Sequence, residues 1–307
     1  MTTAPKTVPH IKPGIPLDNL TILLIGSTGS GKTAQIGEVA EHYKVEHGLN
    51  TRLYSWDPGG WVTVRPYVEL GIIDVVQAVG DPWTWLTHAV KGDRFEANKW
   101  VPGVDPKVGL YCFEGMTSLS NSLMTWMSNE AAKGVNIGGG GSYSFVAGTP
   151  GQEVRKIGSN NMTHYGVAQQ EVYNKALQSQ ILPGTILWTA IDSVGQDDAV
   201  GGVIGPQLAG NAKTGQGPTW FKYTMRLAVE VNVGMDPKHV LYLDHHADMA
   251  AKGMAKGIAN TRVPLAGSDV AKVPNRIEPA SVVQALKLLE ARQGAAKDAI
   301  KARLGLV

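Results

Sequence analysis

Residues 20–40 read LTILLIGSTGSGKTAQIGEVA, and no other stretch constrains the chain as tightly. The apolar run Leu20–Ile25 predicts a short buried strand. Ile36, Val39, Ala40 and Tyr43 then recur at helical spacing, with Lys44 and His47 in the last turn and Gly48 to stop the helix. Between the two, Gly26, Ser27, Thr28, Gly29, Ser30, Gly31, Lys32 and Thr33 fill the pattern G-x-x-x-x-G-K-[ST]. A triphosphate needs backbone N–H groups converging on its oxygens with no Cβ in the way, and glycine allows that approach. The helix start adds partial positive charge. Lys32 is placed to reach the β- and γ-phosphates, and the Thr33 hydroxyl to ligate Mg²⁺. A chance match in a Gly-rich chain is the alternative, but the flanking strand and helix argue for binding of ATP or GTP.

Beyond this loop the chain keeps alternating. TRLYSW (51–56), IIDVVQAV (72–79), VGLYCF (108–113) and TILWTAI (185–191) read as strands. Helices are expected from Asp81-Pro82 to about Lys91, from about Thr117 to Lys133 and from about His164 to Ile181. Strands interleaved with helices predict a largely parallel sheet covered on both faces. From Phe221 to Val233 apolar and polar residues alternate, a long strand that GMDPKH turns into VLYLD (240–244). That predicts an antiparallel hairpin at the sheet edge. Residues 134–163 and 194–218 are Gly-rich without sustained period and read as loops. The C-terminal segment reads as a helix pair, or as one helix interrupted at Gly294. The expected organisation is an extended proline-rich arm over 1–19, a core over 20–265, and a linker with helical tail over 266–307.

Composition narrows the class. The 307 residues suffice for one large or two smaller domains, and 43% apolar with 18% charged residues is ordinary for a globular chain. Glycine, at 37 residues, is in excess of the roughly 7% typical of proteins, which suits phosphate-approach loops and tight turns. No apolar run is long enough to span a bilayer, and the first residues lack a signal-peptide core. A single cysteine excludes an intramolecular disulfide framework, so a cytoplasmic setting is expected. A net charge of +2 neither demands nor forbids a basic groove.

A phosphate loop needs a carboxylate at another strand's tip to hold the metal's water shell. Glu114, directly after GLYCF, is the candidate, one methylene longer than the commoner aspartate. Asp57, in YSWDPGGW, either orients or deprotonates an attacking water or simply opens a D-P-G-G turn. Thr189 and Asp192 end a strand where a γ-phosphate sensor can lie, or are plain strand-end polar residues. Asp244, His245, His246 and Asp248 resemble a metal cluster. The Asp-His-His phosphoesterase chemistry they suggest needs further acidic motifs near the N-terminus, where the phosphate loop sits instead.

In order and spacing, LLIGSTGSGKT, YSWDPGG, GLYCFEGMTSL, HYGVAQQEV, TILWTAI, GPQLAGNAKTG and KGIANTRVPL resemble the phage-encoded RecA-like ATPases associated with recombination and single-strand annealing. The resemblance spans about residues 20–265. It implies an α/β fold with a RecA-like P-loop NTPase core: a mostly parallel sheet, helices on both faces and an antiparallel edge hairpin. It also implies ATP and Mg²⁺ as cofactors and a ring or filament of like subunits with nucleotide between them. By position Glu114 matches the family's strand-end aspartate and Asp57 the acid after the second strand, while Asp192 stands where a histidine-containing pair is often seen. Lys213, or Lys256 and Arg262, either reach a neighbour's γ-phosphate or are plain surface charge. If single-stranded DNA is the partner, the Gly-rich loops line its groove. Arg155 and Lys156 then contact phosphates, and Tyr143, Phe145 or Tyr165 stack on bases. The alternative is a P-loop ATPase acting on protein partners without DNA. A membrane partner is not expected.

Overall fold

The computed structural model describes residues 20–57, 59–78, 80–132, 144–147, 153–156, 161–197, 201–209, 220–231, 234–243, 274 and 276–303. In chain order the elements are β1 (Thr21–Gly26), α1 (Lys32–His47), β2 (Asn50–Ser55), α2 (Arg65–Glu69), β3 (Ile73–Gln77) and α3 (Pro82–Ala89). The short pair β4 (Arg94–Glu96) and β5 (Lys99–Val101) follows, then β6 (Val108–Glu114), α4 (Met116–Ala132), the pair β7 (Ser144–Ala147) and β8 (Glu153–Lys156), and α5 (Asn161–Ser179). Next come β9 (Thr185–Ala190), the pair β10 (Asp192–Asp197) and β11 (Gly201–Pro206), β12 (Tyr223–Glu230), β13 (Lys238–Tyr242), β14 (Arg276–Ile277) and α6 (Val282–Arg303).

Eight strands form one sheet in the order β14-β13-β12-β1-β9-β6-β2-β3. Every pairing from β12 through β3 is parallel, and β13 and β14 close the edge antiparallel. The alternation of side chains along each strand explains why both faces are covered. Leu23 and Ile25 of β1, with Tyr111 and Phe113 of β6, pack under α3, α4 and α5. Ile22 and Leu24, with Leu110 and Cys112, pack against α1 and α6 on the opposite face. Phe113 and Trp188 stack with ring centroids 4.5 Å apart at 7°, which anchors the middle of the sheet. The Asp81 carboxylate caps α3, accepting from Trp83 N at 2.9 Å and Thr84 N at 3.3 Å, an arrangement worth about 1 kcal/mol.

Several expectations change. The Gly-rich stretch 194–218 is not all loop: β10 and β11 pair antiparallel from Asp192↔Pro206 to Asp197↔Gly201. Within 134–163, β7 pairs with β8 antiparallel and α5 already begins at Asn161. The short hairpin β4–β5 adds to the expected elements, and its turn residues Ala97 and Asn98 both have positive φ, 47° and 61°. The C-terminal helix is one helix running through Gly294, because a helix-interior glycine costs only about 1 kcal/mol. This segment also packs closely on the sheet. β14 pairs with β13, and Val282, Ala285, Leu286 and Leu289 of α6 are buried with Ile36, Val39, Ala40 and Tyr43 of α1. Gln35 clamps the junction, accepting from Val282 N at 2.6 Å and donating to Ala280 O at 3.3 Å. Residues 1–19 and the Asp244–Asp248 cluster lie outside the described residues. Among the described residues no helix is long and apolar enough to cross a membrane.

Candidate nucleotide site

The phosphate loop leaves β1 at Gly26 and enters α1 through Gly31, the N-cap, at φ 99° and ψ 14°. An L side chain resists that left-handed conformation, so glycine is required there. Among the described residues no side chain caps the helix and its first turn holds no acid, so neither competes for its leading N–H groups. His239 of β13 supports the loop from outside, its Nδ1 donating to the Ser30 carbonyl at 3.0 Å. Ser30 Oγ is buried and has no hydrogen-bond partner among the described residues.

Lys32 Nζ donates to two carbonyls of the loop itself, Gly26 O at 2.7 Å and Ser27 O at 2.8 Å. Burial lowers its pKa, while the charges of Asp192, Asp57 and Glu114 pull it back up. The ammonium thus sits on the loop's carbonyls, within the field of Asp192, Asp57 and Glu114.

Thr33 meets Glu114 across the sheet. Its hydroxyl donates to Glu114 Oε1, although the strand β9 separates β1 from β6. Glu114 is 3% exposed, and Ser55 Oγ of the adjacent strand donates to its Oε2 at 3.3 Å. Burial pushes its pKa up, and Asp57 adds to the rise. The Thr33 and Ser55 hydrogen bonds and the Lys32 charge oppose it. A hydroxyl and a carboxylate converging beside a lysine form an oxygen donor set of the kind a hard cation such as Mg²⁺ takes.

Asp57 follows β2 and accepts a hydrogen bond from the Ser118 hydroxyl of α4. Gly115, at φ 87°, passes so close that a Cβ there would lie 3.1 Å from the Asp57 carboxyl. The Gly115 N–H donates to Thr189 Oγ1 at 3.1 Å, so the end of β9 is tied to the turn after β6. Together the loop, Asp57, Glu114, Ser118 and Thr189 border a cleft of about 590 Å³. That is within the usual size of a small-ligand pocket, roughly 300–1,000 Å³. Asp192 is placed differently from Thr189: it opens β10 and pairs with Arg226 Nε of β12 at 2.9 Å.

The structure therefore brings Lys32, Thr33, Glu114, Asp57 and Thr189 to one cleft. Tyr143, Lys213, Lys256 and Arg262 lie outside the described residues, and Arg155 and Lys156 fall on β8, described by its backbone alone. Sequence reasoning missed Ser118, His239 and Arg226. Ser118 sits two residues beyond the first residue of α4, a spacing that could have flagged it. The other two depend on strand order.

A mostly parallel eight-stranded sheet with an antiparallel edge, the G-x-x-x-x-G-K-T loop after β1 and an acid ending β6 with one strand between them are laid out as expected of a RecA-like α/β core. No protein-family model matches the chain, and no curated protein matches it. Among solved structures, the KaiC-like protein PH0186 of the hyperthermophilic archaeon Pyrococcus horikoshii OT3 is similar at 13% identity and a TM-score of 0.43. That match covers 83% of this chain and 91% of the other. The fold assignment rests on the sheet order and the loop.

Proposed function

We propose that this protein binds ATP with Mg²⁺ and hydrolyses it. The observation that carries this reading is the hydrogen bond from Thr33 to Glu114, which joins the phosphate loop to the strand-end acid. In the proposal, the N–H groups of residues 26–33 and the Lys32 ammonium hold the β- and γ-phosphates. Thr33 and Glu114 hold Mg²⁺, which when bound neutralises charge building on the phosphoryl oxygens. Asp57, oriented by Ser118, takes the proton of the water that attacks the γ-phosphorus in line, while the bond from the γ-phosphorus to the bridging oxygen breaks and ADP leaves. Thr189 holds the Gly115 turn beside Asp57.

Phosphate release from ATP and GTP by the purified protein, titrated with Mg²⁺, tests this. Magnesium-dependent turnover that Lys32→Ala removes is the expected result. An intact fold that neither binds nor turns over nucleotide would overturn the reading.

The finer proposal is action on single-stranded DNA as a ring or filament in phage recombination or annealing, with a basic residue of a neighbour (Lys213, Lys256 or Arg262) completing the site. Support comes from the resemblance and from one placement. The β10–β11 hairpin leaves β9 one residue past Ala190, so a partner on that hairpin is coupled directly to the cleft. Stimulation of turnover by single-stranded DNA, with affinity falling steeply as salt rises, is the expected outcome. Binding that is absent in the presence of ATP would favour a protein partner instead.

A further inference from the structure

At the far end of α1 from the phosphate loop, His42 and His47 face Glu290 of α6. Each of the three can bring a ligand atom within 4.8 Å of the other two. His42 is only 9% exposed, and the Nε2 atoms of both histidines are buried with no hydrogen-bond partner among the described residues. Buried polar atoms are normally paired, so two orphaned imidazole nitrogens beside one carboxylate require a reason. The rings stand 5.9 Å apart at 78°, an edge-on arrangement in which neither blocks the other.

We infer that His42, His47 and Glu290 form a site for a divalent transition metal of the Zn²⁺ class. Two imidazoles and a carboxylate make a donor set that suits zinc, with a remaining position for water. Magnesium and calcium prefer oxygen throughout, so this site is chemically distinct from the phosphate cleft. Tetrahedral bonds of about 2.0–2.1 Å bring ligand atoms to roughly 3.3 Å from one another. From a spread of up to 4.8 Å the three side chains must therefore draw in by up to about 1.5 Å, and Glu290 is exposed.

Electrostatics favour the same occupant. Glu290 and Glu46 set negative charge around His42, against the positive charge of Lys287. The carbonyl-rich C-terminal end of α1 adds a field that attracts a cation. A metal here would bridge α1 to α6 beyond the contacts of Gln35, fixing the helix that starts at the phosphate loop.

Zinc titration of the chelator-treated full chain by calorimetry, in excess Mg²⁺, tests the site. The expected result is one Zn²⁺ per chain with micromolar or tighter affinity, and a rise in unfolding temperature on zinc addition. Co²⁺ as a spectroscopic substitute should show the visible absorption of a tetrahedral ion. Because His42 is buried and its loss can unfold the chain, the variants are Glu290→Gln and His47→Gln, checked for native circular dichroism. Each should weaken zinc on the order of tenfold or more and abolish the thermal shift. Lys32→Ala should leave zinc binding unchanged. Absence of stoichiometric zinc binding, or binding that survives both substitutions, overturns the assignment.

Discussion

The Thr33 hydroxyl donates to the Glu114 carboxylate across 81 residues of sequence, joining the first turn of α1 to the end of β6. Glu114→Gln keeps the shape but removes the charge. It should retain nucleotide binding and lose turnover on the order of 10²–10³-fold, as when one preorganised electrostatic contact is removed. Single-turnover phosphate release beside a fluorescent-nucleotide binding assay separates the two effects. Equal losses of binding and turnover would contradict the role given to Glu114.

The same carboxyl imposes a pH dependence. Its pKa is raised above the ordinary 4.5, mainly by burial, so the folded protein holds this proton more tightly than the unfolded chain. Its contribution to stability is therefore complete below pH 4.5 and is lost as pH rises through the folded value. Glu114→Gln lacks that titration. Its stability relative to the parent should rise between pH 4.5 and neutrality, as read by urea unfolding at a series of pH values. A pH-independent difference would remove the buried-acid account.

Gln35 bonds Val282 N at 2.6 Å and Ala280 O at 3.3 Å, where α6 docks on α1. Gln35→Ala leaves a buried N–H unpaired and should cost about 1–3 kcal/mol. Urea unfolding should show a lower midpoint with an unchanged slope. A midpoint equal to the parent's would mean that α6 docks without this clamp.

Gly115 and Gly48 both occupy left-handed backbone, at φ 87° and 69°, but only at Gly115 would an added Cβ meet a close neighbour, the Asp57 carboxyl at 3.1 Å. Alanine at either position should cost about 1–2 kcal/mol of stability. Turnover should fall only for Gly115→Ala, through kcat more than KM, because Asp57 must move aside. If Gly48→Ala slows turnover equally, the Asp57 contact is not the cause.

Much of this site was legible in the chain because its signals are local. The strand, the glycines and the helix period of residues 20–43 sit side by side, and Glu114 ends an unbroken apolar run. The Asp81 cap was readable for the same reason. What escaped depends on partners distant in sequence or on weak local preference. His239 reaches Ser30 only because β12 and β13 are placed beside β1. Arg226 meets Asp192 across a chain separation of 34 residues. The β4–β5 turn puts Ala97 at positive φ, where a reader expects Gly, Asn or Asp. In β10–β11 repeated glycines hide the alternation that marks a strand. Gly294 suggested a break, but the alanines after it have high helix propensity and the helix continues.

Cys112 lies wholly buried in β6 against the α1 face, and burial drives its thiol well above its ordinary pKa. As the chain's single cysteine, it leaves the folded surface blank to thiol-directed dyes. A probe attached through Val45→Cys, at a position 73% exposed on α1, would therefore report alone. That gives a clean optical signal on the helix running from the phosphate loop to the histidine pair, with no background labelling to subtract.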